Sequence, residues 1–273
     1  MNETGSGQSA TLLSKELSST VVDLSVVLSD DYPCYWPTIM GFHASTWHRH
    51  DGWRGPFFTR YLTIEEHTGT HCDAPAHFIP PPDSGLPHAA EAGAITVEQL
   101  PLSQMIGPAV VVDCRGLRGK ADPGCSPLIT APYLESWEAE NGAFEPGDIV
   151  LLHTGWTTDL YRPFPEGQAF GWDVVVEKRA PGWPAPDAGA MELLNARGVR
   201  TVGVDSNSMG PIQADPEPHW AGLKHGMVFV ERLVNLDRLP RRGAVFMFLP
   251  IKLEGGSGAP GRAVAFVADG RSV

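Results

Sequence analysis

The chain reads as one α/β domain, and three observations predict it. Residues 130 to 141, Thr-Ala-Pro-Tyr-Leu-Glu-Ser-Trp-Glu-Ala-Glu-Asn, open on a Thr N-cap candidate and carry Leu134 and Trp137 at helical spacing; the apolar run Ile149-Val150-Leu151-Leu152 follows as a buried strand. The pattern then repeats. Asp187 leads a helix with Ala188, Ala190, Met191, Leu193 and Leu194 that Gly198 can cap, and Val199 to Asp205 reads as the next strand. A helix followed by a strand is the unit of an α/β fold. Finally, 273 residues with 42% hydrophobic content supply one sizeable core, so residues 19 to 273 read as a single domain.

Taken in order, residues 1 to 18 are small and polar without periodicity and read as a disordered or loosely docked tail. Val21 to Leu28 is β-branched and apolar enough for a strand, ended by Asp30, Asp31 and Pro33. The aromatic loop after it contains Tyr35 and Trp36, which have two readings: a cap on the core, or the wall of a pocket for a planar substrate. His43, His48 and His50, with Trp47 and Trp53 among them, form a polar stretch that reads as surface or as a flap. Phe57 to Glu65 predicts a strand, Pro80 to Gly85 a loop, and Ala109 to Asp113 a buried strand. Residues 156 to 186, rich in Trp and Pro, predict a long irregular excursion of the kind that is functional or forms interfaces. His153, at a strand end, is either a pocket residue or a satisfied structural histidine. Ala244 to Pro250 predicts another buried strand.

The chemistry concentrates at Glu-Glu-His-Thr-Gly-Thr-His-Cys-Asp-Ala-Pro-Ala-His-Phe, residues 65 to 78. His67, His71, Asp73 and His77 offer imidazole nitrogen and carboxylate oxygen, donors that suit zinc or manganese. A straight strand would hold the Cα atoms of His67 and His71 ~13 Å apart, too far for ligands with bonds of about 2 Å to share an ion. A helix is opposed by Thr68, Gly69 and Thr70 and blocked by Pro75. The chain must therefore bend at Gly69. A short extended piece from Thr70 to Asp73 would then point His71 and Asp73 the same way and Cys72 into packing on the other side.

The spacing His-x-Gly-Thr-His-x-Asp-x-Pro-x-His-Phe resembles the signature of the cyclase family of metal-dependent hydrolases, which includes bacterial kynurenine formamidase, isatin hydrolase and trans-dienelactone hydrolase. The resemblance implies that His67, His71 and Asp73 bind a divalent metal and that His77 transfers a proton. Further along, His219 and Glu231 match the His and Glu that complete a second metal position in the formamidases, although Glu231 also has a reading as a solvated strand end. One ion is expected, with a second left open. The resemblance also places the Tyr35–Trp36 loop near the substrate and Lys252 to Pro260 in the family's closing glycine loop. It implies a mixed β-sheet curving toward a barrel with flanking helices, of the swivelling β/β/α type, and a homo-oligomer, dimer or tetramer.

The expected reaction is hydrolysis of a cyclic amide such as isatin, with formamide hydrolysis on N-formylkynurenine and lactone hydrolysis or cyclisation as the alternatives. A small-molecule substrate fits the bulk properties. A net charge of −12 opposes nucleic-acid and anionic-membrane partners. Gly255 to Gly258 lacks the Lys-Ser/Thr pair of a phosphate-binding loop. Cys34, Cys72, Cys114 and Cys125 form no close pair, and the first residues lack a secretory pattern, so the reading is of a cytoplasmic protein.

Overall fold

In the computed structural model, residues 20–33, 36–50, 53 and 55–268 are described; the expected tail at 1 to 18 and Tyr35 lie outside them. The leading strands are β1 (Thr20–Asp23), β2 (His43–His48), β3 (Thr59–Thr63) and β4 (His71–Asp73). The buried apolar runs become β5 (Ile106–Asp113), β7 (Ile149–His153) and β9 (Thr201–Val204), with the two-residue β6 (Leu128–Ile129) and β8 (Ala185–Pro186) between them. The chain ends with β10 (Val228–Glu231), β11 (Arg242–Pro250) and β12 (Gly258–Val267).

Strands β5, β7, β9 and β10 are parallel neighbours. Parallel neighbours need crossovers, and α1 (Ala131–Asn141), α3 (Ala188–Ala196) and α4 (Pro216–Leu223) supply them, while α2 (Trp156–Leu160) opens the excursion. The predicted caps are in place: Thr130 Oγ1 accepts from Tyr133 N and Asp187 Oδ1 from Ala190 N. The sheet runs β12-β11-β5-β7-β9-β10-β4 and closes on itself because β12 also pairs with β4. That strand does two jobs: Gly258 to Pro260 pair with His71 to Asp73, and Gly261 to Val267 pair with β11. The result is a seven-stranded mixed barrel with helices outside and β1 added at the edge.

Period-two alternation sorts the side chains into two layers. Ala109, Val111, Leu151, Cys72, Val230 and Phe246 belong to the apolar cluster that fills the barrel. Val110, Val150, Leu152, Val202 and Phe229 point outward, against Leu134, Met191 and Leu194 of the helices. On β9 the interior position is Gly203, where a Cβ would come within 2.7 Å of both Leu151 and Leu233, so the lumen has no room for a side chain there. The same alternation puts Cys72 inside and leaves its neighbours His71 and Asp73 facing out.

One segment differs from expectation. The strand predicted over 21 to 28 stops at Asp23 apart from a single bridge at Ser25, because Asp23 Oδ1 takes the Ser25 N–H and Thr70 Oγ1 takes the Val26 N–H that a ladder would use. β3 falls within the strand predicted over 57 to 65 and pairs with β2, forming an arm on which Trp47, Phe57, Tyr61 and Leu62 are exposed. The Trp-rich excursion packs largely on itself: Trp156 and Trp183 are buried edge to face, with ring centroids 6.0 Å apart. No helix among the described residues is long and apolar enough to cross a membrane.

Candidate metal centre

Chain geometry at two glycines makes the site. Gly69 has φ +69°, and a Cβ there would lie 2.3 Å from Leu28 Cδ2; the turn it permits swings His67 back over β4. Across the sheet a Cβ on Gly258 would lie 2.5 Å from His67 Nε2, so the start of β12 is bare where the imidazole lies against it. His71 and Asp73 project from the outer face of β4. Antiparallel pairing sets Glu231 of β10 opposite His71, and α4 carries His219 over the same spot.

Five side chains converge there. Asp73 Oδ1 is 3.5 Å from both His67 Nε2 and His71 Nε2, and Asp73 Oδ2 is 3.7 Å from His219 Nε2. Glu231 Oε2 is 3.4 Å from His71 Nε2, and its Oε1 is 3.5 Å from His219 Nε2. The far nitrogen of each imidazole is committed elsewhere: His67 Nδ1–H donates to Glu65 Oε1 at 3.0 Å, His71 Nδ1–H to the Gly69 carbonyl at 2.7 Å and His219 Nδ1–H to the Asp215 carbonyl at 2.7 Å. That orients the three rings and turns every Nε2 inward, and a bound cation would take the Nε2 lone pairs.

These residues fit a divalent cation on two counts. Two ligands with bonds of ~2.1 Å at a tetrahedral angle lie about 3.4 Å apart, and the measured separations cluster there. Asp73 Oδ1, buried and facing two imidazoles, has no hydrogen-bond partner among the described residues, which is costly unless a cation takes the charge. Ligand atoms of His67, Asp73 and His77 lie within 4.8 Å of one another, as do those of His71, Asp73 and Glu231.

Without the cation the cluster is electrostatically strained. Burial, and then the adjacent Glu231 carboxylate, push Asp73 up to about 6. Burial also acts to raise Glu231, but His219 and His71 outweigh it and hold the carboxyl well below the usual range. Burial opposes a charge on His219, yet Glu231 and Asp215 raise it to about 9. His77 goes the other way: burial, and then the neighbouring His67 and His219, hold it well below the ordinary imidazole value.

Residues 22–211 match the Cyclase family model. The chain belongs to the Cyclase family. It is 31% identical over 219 residues to the isatin hydrolase of Roseibium aggregatum, covering 78% of this chain and 76% of that protein. It is 29% identical to the kynurenine formamidase of Erythrobacter litoralis, covering 89% of this chain and 91% of that protein. The crystal structure of an isatin hydrolase bound to the product analogue thioisatinate superposes with a TM-score of 0.75 at 28% identity, over 98% of this chain and all of that one. This Cyclase is a metal-dependent hydrolase.

Around the cluster the Cyclase chain encloses a cavity of about 240 Å³. Its wall includes Trp36, which meets Trp183 edge to face with ring centroids 6.5 Å apart. His77, on the turn Pro75–His77, stacks on His67 with centroids 3.9 Å apart. All six predicted site residues of the motif and the His219/Glu231 pair line this cavity, and Trp36 lines it with them. His153 does not; it lies 3.8 Å from Asp205.

Sequence reasoning passed over Glu65, Phe78, Asn207, Ser208 and Asp215. Glu65 holds both the ring and the backbone N–H of His67, and Phe78 stacks on His219 at 4.1 Å. Asn207, Ser208 and Asp215 lie in the chain that leaves the carboxyl end of β9, and binding residues sit disproportionately on such loops held by a rigid scaffold. That rule was the available signal for the last three.

Proposed function

We propose that this Cyclase-family hydrolase opens a cyclic amide of the isatin type, with His67, His71 and Asp73 holding one zinc or manganese ion and His77 moving the proton. The observation that carries this reading is the inward convergence of three Nε2 atoms on Asp73 and Glu231 at 3.4–3.7 Å beside His77. The isatin hydrolase relatives support the substrate class. A divalent ion bound there lowers the pKa of water toward ~7 and polarises a carbonyl.

The protein's own groups do the rest. Trp36 and Phe78 form apolar wall on which a planar bicyclic lactam rests, and the cavity volume admits a small molecule. His77 accepts a proton from the water that adds to the lactam carbonyl carbon and returns it to the ring nitrogen as the C–N bond breaks. The sum is lactam plus water giving an amino keto acid. Glu65, Gly69 and Asp215 keep the three inward-facing imidazoles oriented throughout.

The second reading is arylformamide hydrolysis, favoured by the His219/Glu231 pair and the formamidase relatives. Purified protein, assayed for metal content and offered isatin and N-formylkynurenine, separates the two. Turnover of isatin is expected; turnover of N-formylkynurenine alone would replace the first reading with the second.

A further inference from the structure

Beyond the metal ligands and His77, the cavity wall holds one buried amide whose orientation is fixed. Asn207 is 1% exposed, and its Oδ1 accepts from Arg232 Nη2 at 2.6 Å. Turning the amide round would set its NH2 against guanidinium hydrogens, and arginine has no acceptor to offer. Nδ2 is therefore the end that faces away from Arg232. It is buried and has no hydrogen-bond partner among the described residues, and a buried donor in that state awaits an acceptor.

The mount is rigid. Arg232 is fully buried, its guanidinium sits 5.3 Å from the Phe170 ring centroid, and its backbone, at φ +56°, is pinned by Thr70 Oγ1–H donating to its carbonyl at 2.7 Å. Arg232 directly follows Glu231, so the amide and the metal cluster share one anchor. On the far side, a Cβ on Gly171 would lie 3.5 Å from Asn207 Nδ2 and 3.0 Å from Pro37. Asn207 lines the metal cavity, and Gly171, beside its Nδ2, lines an adjoining cleft with Pro33, Pro37, Phe164 and Trp172.

We propose that Asn207 is the specificity-determining donor of this site: Nδ2–H binds a second carbonyl oxygen of the substrate, the one that is not attacked. The proposal rests on the carbonyl-hydrolase reading above and narrows it to substrates with two carbonyl groups. A site that buries a donor for one substrate oxygen discriminates strongly against analogues lacking it, because the donor is then left unpaired. Isatin carries such an oxygen in its ketone, and N-formylkynurenine in its aryl ketone; a plain lactam has none. Arg232 acts through Asn207, as a positioning residue.

The test compares the metal-loaded full chain with Asn207→Leu and Asn207→Asp. The aspartate keeps a partner for Arg232, and so protects the fold, but offers an acceptor where the substrate needs a donor. KM for the turned-over substrate and the Kd of isatinate by calorimetry should both rise about 10- to 100-fold in the two variants, with kcat within about threefold and metal content unchanged. Values for Asn207→Asp within twofold of wild type, on whichever substrate the wild type turns over, would overturn the proposal. Failure of the isatin reading is seen separately, in the wild-type turnover; if N-formylkynurenine alone reacts, its KM carries the comparison.

Discussion

Two buried pairings of histidine with carboxylate sit at the ends of this barrel's strands, and they are built on opposite plans. At β7 and β9, His153 lies beside Asp205, whose carboxylate accepts from Thr154 N at 2.5 Å, Thr154 Oγ1 at 2.7 Å and Gly155 N at 2.8 Å. At β4 and β10, Asp73 faces three imidazoles at 3.5–3.7 Å, and its Oδ1 has no hydrogen bond among the described residues. Burial raises both carboxyls, Asp205 to about 7 and Asp73 to about 6. What separates them is where their lone pairs go. A carboxylate met by its own backbone closes a fold; one ringed by nitrogen lone pairs just beyond hydrogen-bonding range is set aside for a cation.

The largest expected effect exchanges the two losses. Asp73→Asn should drop activity to background and strip the metal, while the metal-free protein unfolds at the same temperature as metal-free wild type or higher, because the cost of burying that charge, and then its like-charge contact with Glu231, outweigh the attraction of the three imidazoles. Asp205→Asn should keep its metal and cost about 3 kcal/mol of stability, since an amide cannot accept all three donors. Metal analysis and thermal unfolding of both variants decide it. If Asp205→Asn loses the metal, or Asp73→Asn loses the fold, the contrast collapses.

How far the contrast could be read from sequence depends on distance along the chain. His71 and Asp73 share a face because of period two and the bend at Gly69, and both facts are local. The alternating helices and strands of 130 to 205 were equally legible, since caps and apolar spacing are local too. Glu231 meets His71 only through the β4–β10 register, 160 residues away, and the resemblance rather than the spacing pointed to it. Nothing local distinguishes Asp205 from a ligand, because its donors come from Thr154 and Gly155, about 50 residues upstream. β12 was missed for a related reason: Gly258 and Pro260 read as a loop, and become a strand only because β4 and β11 supply the ladder partners.

A middle-sized effect contrasts the histidines. His77 stacks on His67 within the cavity, whereas His153 is 4% exposed and outside it. His77→Ala should retain metal and lower kcat by ~10²- to 10⁴-fold, the usual contribution of a positioned acid–base group. His153→Ala should leave kcat within about twofold, because the residue touches neither the cavity nor its ligands. Steady-state kinetics beside metal stoichiometry check both, and a His77→Ala enzyme with wild-type kcat would remove the proton-transfer role.

The smallest effect probes the supports one layer behind each carboxylate. Glu65 holds His67 twice, through the backbone N–H at 2.7 Å and the ring Nδ1–H at 3.0 Å, and its loss frees the ring to rotate and change tautomer. Burial acts to lower the His67 pKa, and Glu65 and Asp73 outweigh it, so the carboxylate also raises the basicity that a ligand nitrogen needs. Glu65→Ala should weaken metal binding by ~10- to 100-fold, read by titration against a competing chelator. Thr154→Val, which removes one donor from Asp205, should leave metal affinity alone and cost about 1–2 kcal/mol of stability. Were Glu65→Ala to bind metal as tightly as wild type, the imidazole would have to be aimed by the turn at Gly69 and the bare backbone of Gly258 alone, and the orienting carboxylate would belong with Asp205 among the groups that only close the fold.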